Sequence, residues 1–233
     1  MSARTVDWTA PDSPPGGAAK GEGLRERKKR RTRQQLTDVA TELFLERGFD
    51  AVRVAEIAEA CGVSEKTVFN YFPTKESLVL DHPEAAMAAV RSGFADPAVT
   101  PTEAALRILA TELDGMTSWL ADQQDPVAAG EKIRRFDELV QGTPSLRAHQ
   151  RDMTDRIVVV AATVLAGRAG MAADAPEPQI AATALLGLWK VQFGGLRKYL
   201  DGTRTPEEVR RAVTADVRAA ARLVDGGLAG FGV

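Results

Sequence analysis

From Leu36 onward, apolar side chains fall at Leu36, Val39, Ala40, Leu43 and Phe44, the i, i+3, i+4, i+7, i+8 spacing that lines one face of an α-helix. Gly48 follows as a stop signal, so a first helix is expected over 24–47. Ala55, Ile57, Ala58 and Ala60 make a short second helix, "CGV" supplies a turn in which Gly62 can take positive φ, and Ser64 can cap the helix that follows. Further along, Thr or Asp followed by Pro recurs at Thr100-Pro101, Asp125-Pro126, Thr143-Pro144 and Thr205-Pro206. Each pair offers a side-chain acceptor for the N-cap and a preset φ for the first helical position. Glu103 and Glu208, three residues after the first and last of these caps, predict capping boxes. Strand-like alternation is nowhere in the pattern. The expectation is an all-α chain of about nine helices: 24–47, 54–60, 64–71, 75–92 with a disturbance at Pro83, 102–122, 126–141, 144–170, 177–201 and 206–226.

The 64–71 helix shows what this punctuation is for. Val68 and Phe72 lie on one side at i and i+4, while Glu65, Lys66, Thr67, Asn70 and Tyr71 cover the rest of its surface. Two short helices joined by a tight glycine turn form a helix-turn-helix. Taken alone, such a pair is also an ordinary hairpin with an aromatic core and a solvated polar face.

Charge changes the picture. The 233 residues carry a net −2, which argues against general attraction to nucleic acid, yet Lys20 to Gln35 holds eight basic residues against two acidic ones. That leaves the remainder at −8, so phosphates would be attracted at one end and repelled elsewhere. The first 22 residues hold Pro11, Pro14 and Pro15 and almost no large apolar side chains, the composition of a disordered arm. They lack the apolar segment of a signal peptide, a single cysteine excludes an intrachain disulfide framework, and "IVVVAATVLAG" (157–167) is far too short to span a membrane. A cytoplasmic protein with no membrane partner is expected.

The stretch "FDAVRVAEIAEACGVSEKTVFNYFPTKESL" resembles the DNA-binding domain of TetR-family transcriptional regulators, with "IAEACGVS", "YF" and "KESL" in that family's order. The resemblance is specific over about residues 30 to 80. It implies a helix-turn-helix DNA-binding domain at 23–74 and a ligand-binding and dimerisation domain at 75–233. It also implies that helix 64–71 enters the major groove of operator DNA, with Lys66, Thr67, Phe69 and Asn70 facing the bases, Ser64 on the backbone, and Tyr71 and Lys75 holding phosphates. Lys can donate to guanine, Asn can pair with adenine, Thr or Phe can meet a thymine methyl, and Glu65 can accept only from cytosine. Three positions depart from the common family pattern: Lys66 stands where glycine is frequent, Phe69 where tyrosine is frequent, and Arg53 where a threonine usually caps the second helix. Arg53 would trade that cap for a phosphate anchor.

The second half carries no nucleophile elbow, phosphate loop or metal-ligand spacing, and its histidines, His82 and His149, are far apart, so neither an enzyme nor a cofactor or metal site is expected. Helix 177–201 pairs a stripe of Leu185, Trp189 and Phe193 with another of Ala181, Ala184, Leu188, Val191 and Gly195. Helix 206–226 lines up Val209, Val213, Val217, Ala220 and Val224. With apolar residues on so much of the circumference, a two-fold homodimer through Ala184, Leu188, Val191, Gly195, Val213, Val217, Ala220 and Val224 is expected, with an intrachain core as the alternative. Large side chains available to line an effector pocket are Met116, Trp119, Phe136, Met153, Trp189 and Phe193, with Arg135, His149 and Gln192 as polar groups, a set suited to an apolar or aromatic molecule. The function expected is that of a repressor released from its operator by such an effector. The alternative is a constitutive DNA-binding or protein-interaction module without one.

Overall fold

A computed structural model describes residues 23–81 and 84–227; the expected arm at 1–22 and His82 lie outside them. The elements are α1 (Leu24–Arg47), α2 (Val54–Ala60), α3 (Glu65–Tyr71), a 3₁₀ turn (Glu76–Leu78), α4 (Glu84–Ala95), α5 (Pro101–Ala121), α6 (Pro126–Gly142), α7 (Pro144–Ala169), α8 (Pro176–Tyr199) and α9 (Pro206–Gly226). Among the described residues every element is helical. The expected helix 75–92 is in fact two pieces: a single 3₁₀ turn, and α4, which starts just after Pro83 and runs on to Ala95. Proline cannot donate in a helix interior and disfavours helical φ/ψ in the residue before it, so a helix through Pro83 was not available.

The Pro-preceded starts form as expected, but their caps differ. Thr100 Oγ1 accepts from Glu103 N–H at 3.1 Å, yet the Glu103 carboxylate turns to Arg107 at 2.7 Å and returns no bond to the cap. Thr205 and Glu208 make the complete reciprocal box, with Thr205 N–H on Glu208 Oε2 at 2.8 Å. An i+4 arginine within reach of Glu103 accounts for the difference, because it competes for the same oxygens.

The chain forms two compact units. Among the described residues, the first contains 23–81 together with 135–151. Its core is Leu36, Ala40 and Phe44 of α1, Val52, Ile57 and Ala58 around α2, Val68 and Phe72 of α3, and Leu78, joined by Val140 and Leu146 from the end of α6 and the start of α7. The second contains 84–134 and 152–227, with α8 packed on α9 and α5 packed on both. This grouping cuts the chain differently from the division into 23–74 and 75–233. In the second unit a Cβ added at Gly195 would come 3.3 Å from Val213 Cγ2, so α8 and α9 approach at a point that a larger residue would push apart. Arg168 ties the end of α7 to the turn before α5, donating to the carbonyls of Asp96 at 3.0 Å and Val99 at 2.6 Å. These carbonyls lie at or beyond the α4 C-terminus, where no helical partner remains for them.

Candidate nucleic-acid interface

The helix-turn-helix is held from behind. Gly62 takes φ of 67° in the turn after α2, and the Val63 N–H reaches back to Ala58 O at 2.9 Å, closing the α2 C-terminus. Ser64 Oγ then accepts from Thr67 N–H at 3.1 Å and bonds Thr67 Oγ1 at 2.9 Å, so the cap of α3 is internally satisfied. Val68 and Phe72 are fully buried. At 100° per residue, this leaves Lys66 and Asn70 along the outward ridge, with Phe69 on one shoulder and Thr67 on the other. Glu65, Lys66 and Asn70 are exposed and make no hydrogen bond or ion pair among the described residues. Their donors and acceptors are available to a partner.

The side chains expected on phosphates behave differently from one another. Lys75 is turned inward: Nζ donates to Phe49 O at 2.6 Å and stands 4.4 Å from the Phe49 ring centroid and 5.6 Å from that of Phe44. Its ammonium thus points into its own unit, with one of its three donors used there. A part-buried cation seeks the nearest unpaired carbonyl and π faces, and both are within reach here. Tyr71 is half-buried, and its carbonyl accepts from Arg33 Nη1 at 2.9 Å. Arg53, by contrast, keeps 81% of its side chain exposed at the start of α2. Glu56 accepts from the Arg53 N–H at 3.0 Å and from Arg47 Nη1 at 2.6 Å, which supplies half of a capping box; an arginine side chain has no acceptor with which to complete it. The Arg53 backbone N–H and the Arg47 guanidinium together pull the Glu56 carboxyl down to about 2.

Two residues outside the expected set shape this surface. Arg33, counted within the basic run, is not a free charge. It forks onto both carboxylate oxygens of Asp81, with Nε to Oδ2 at 2.8 Å, and lies 4.4 Å over the Phe72 ring, bracing the back of α3. Arg47 steadies Glu56 and thereby the start of α2. The i, i+3 pair Arg53 and Glu56 was visible in sequence; the reach from Arg33 to Asp81, 48 residues on, was not. Of the remaining members of the run, Lys20 lies outside the described residues, and Arg25, Arg27, Lys28, Lys29, Arg30 and Arg31 lie exposed along the first turns of α1.

The residues proposed for an effector site divide between the two units. Arg135 donates to Leu45 O at 2.8 Å, His149 Nε2 lies 3.1 Å from Leu80 O, and Phe136 packs on the first unit's core. Met116, Trp119, Met153, Trp189, Gln192 and Phe193 belong to the second unit. There, Trp189 Nε1 donates to Glu112 at 3.0 Å, and Gln192 is buried, whereas Phe193 is 43% exposed. Spacing of i, i+4 and i+8 drifts about 40° per step, so Phe193 rotates off the inward stripe that Leu185 and Trp189 occupy. Burial of Glu112 pushes its carboxyl up to about 7, against the opposing pull of the Trp189 N–H.

The expected dimer set is also divided. Leu188, Gly195, Val213 and Val217 are buried inside the chain's own second unit, where α8, α9 and α5 meet, and so cannot face another copy. Val191, Ala220 and Val224 are partly buried against that core, and Ala184 is exposed. No helix among the described residues is long and apolar enough to cross a membrane.

Residues 36–81 match the family model described as bacterial regulatory proteins, tetR family, and residues 124–203 match the MftR C-terminal domain. The HTH-type transcriptional regulator TcmR of Streptomyces glaucescens is 32% identical over 180 residues, covering 75% of this chain and 74% of that protein. LuxR of Vibrio harveyi, also an HTH-type transcriptional regulator, is 53% identical over 47 residues, 20% of this chain and 23% of its own. The crystal structure of a TetR-family regulator from Mesorhizobium loti aligns with a TM-score of 0.48 at 21% identity, covering 84% of this chain and 98% of that one.

Proposed function

The chain belongs to the TetR family and is a DNA-binding transcriptional regulator, and on that footing we propose that it is a cytoplasmic repressor that works by binding alone and leaves its operator when a small molecule binds its second unit. The observation that carries the DNA-facing part is the outward ridge of α3: Lys66 and Asn70 hold unpaired hydrogen-bonding groups in the open while the opposite face is locked by Val68 and Phe72. Lys66, Phe69, Asn70 and Thr67 then face base edges, Arg53 and the exposed part of the basic run meet phosphates, and Ser64 and Glu65 sit at the start of the reading helix.

The effector reading rests on the chemistry of Met116, Trp119, Trp189 and Gln192, soft and aromatic side chains with one amide, all within the second unit. An apolar or aromatic molecule suits that chemistry. Release requires only that the effector prefer the conformation that binds operator poorly; a 100-fold loss corresponds to about 2.7 kcal/mol of differential affinity. A second copy is proposed to pack on the outward face of α8, where Ile180 is 69% exposed and Ala184, Gly187 and Gly194 leave room for close helix approach.

Recovery of genomic fragments on the immobilised full chain, followed by thermal-shift screening of metabolites, tests this reading. The expected result is a discrete operator and a compound that both raises Tm and lowers operator affinity. A protein that holds its operator equally in the presence of every stabilising compound would instead be a constitutive binder.

A further inference from the structure

Phe69 is the only large apolar side chain of α3 left in the open, at 46% exposure, and it makes no ring or cation contact among the described residues. The core of its unit does not need it, since Val68 and Phe72 already fill the inner face at 0% exposure. Its neighbours on the helix surface are Glu65, one turn back, and Lys66, both exposed and unpaired, and Asn70 lies next on the ridge. A phenyl ring in that company can neither donate to a phosphate oxygen nor complete the hydrogen-bond pattern of a base edge. If it is carried into the groove with Lys66 and Asn70, it must find an apolar partner or lose hydration for nothing. The major groove offers one such feature, the C5 methyl of thymine.

We propose that Phe69 is a specificity-determining residue that seats its ring on the methyl group of one thymine in the operator, beside the bases reached by Lys66 and Asn70. This rests on α3 being the reading helix. It adds a requirement that hydrogen bonding alone does not impose: at that position deoxyuridine, which keeps every hydrogen-bonding group of thymine and lacks only the methyl, is a poor substitute.

The test uses the full chain and a duplex selected by it from a randomised library. Each thymine is replaced singly by deoxyuridine, and binding is followed by fluorescence anisotropy at one fixed salt concentration. Wild type is expected to lose about fourfold at one thymine of the recognised sequence, the factor that corresponds to one methyl kept from water, and to change little at the others. Phe69→Ala should bind the thymine and deoxyuridine duplexes equally, with an unchanged circular dichroism spectrum and Tm. Phe69→Leu, which keeps an apolar tip, should retain part of the discrimination and serves if the alanine variant folds poorly. A flat deoxyuridine scan with wild type, or discrimination that survives in Phe69→Ala, overturns the proposal. Should Lys66→Ala and Asn70→Ala select the same sequence as wild type with undiminished affinity, the reading of α3 itself falls, and this inference with it.

Discussion

Helices α3 and α8 both turn a phenylalanine outward, Phe69 at 46% and Phe193 at 43% exposure, yet the exposed faces of the two helices suit different partners. Around Phe69 stand a lysine, an asparagine and a glutamate with unpaired polar groups, on a helix of seven residues fixed by two buried anchors. A helix that short has little stability of its own, so it keeps its shape only because its unit holds it. Helix α8 is 24 residues long, and its strip from Ile180 through Ala184 and Gly187 to Gly194, about 100° round from Phe193, is small and apolar, with Lys190 and Lys198 exposed beside it. The first surface can read a charged, hydrogen-bonding object, and the second can accept the close approach of another helix. A partner's chemistry is therefore written in the polar groups left unpaired, more than in the apolar ones left exposed.

The harshest way to break that comparison is to place charge on each side of the α8 and α9 layer. Val217→Asp, at a site 3% exposed, should abolish folding of the second unit, with a cost above about 4 kcal/mol. Ala184→Arg, on the open side, should leave the far-UV spectrum intact and convert a dimer to monomers in sedimentation velocity. Loss of fold in the second variant or survival in the first would reverse the assignment of the two faces.

The next effect is a dependence on pH that belongs to the second unit. Glu112 has a folded-state value of about 7 against an ordinary 4.5, so between those values the folded chain binds more protons than the unfolded one. Its contribution is therefore harmless below pH 4.5 and becomes a destabilisation as pH rises towards 7, amounting to about 3 kcal/mol above that range. Glu112→Gln should flatten that part of the urea-midpoint curve and be the more stable protein at pH 8. A curve with the same slope in both proteins would show that the carboxyl is not held as the structure has it.

In the first unit, Lys75→Ala and Lys66→Ala sharpen the contrast between two lysines nine residues apart. Lys75→Ala removes a bond to Phe49 O and a cation over two rings, and should cost about 1–3 kcal/mol in urea unfolding. Lys66→Ala should leave stability within about 0.5 kcal/mol while changing the preferred base at one operator position by about 1–3 kcal/mol. An unchanged midpoint with uniformly weaker DNA binding for Lys75→Ala would mark it as a phosphate contact. The smallest effect is expected from neutralising Arg27, Lys28 and Arg31, which should reduce the slope of log K against log salt by at most about 0.9 per residue, with the ranking of operator variants kept.

How much of this was legible beforehand follows from the range of each interaction. The ends of α1, α2 and α3, and the Thr-Pro and Asp-Pro starts of α5, α6, α7 and α9, are set by groups within four residues of one another: caps, a glycine at positive φ, a proline at N1. The outward ridge of α3 is equally local, since burying Val68 and Phe72 determines where Lys66 and Asn70 must point. The fate of Lys75 and Arg33 is not local. Each had a choice between solvent and partners 26 to 48 residues away, Phe49 and Asp81, and only the folded unit brings those partners near enough to win. The same holds for Val140 and Leu146, whose apolar character announces burial without saying in which core, and for Val213 and Val217, whose stripe would serve an intrachain core or a second copy equally well. Sequence alone thus determined most of the helices and their ends, the segment around Pro83 excepted, and the face of α3 that is free to bind, because periodicity and capping act within a turn or two. Tertiary structure alone decided which cations are spent inside and which apolar faces are already covered, because those depend on what distant segments bring within a few ångströms.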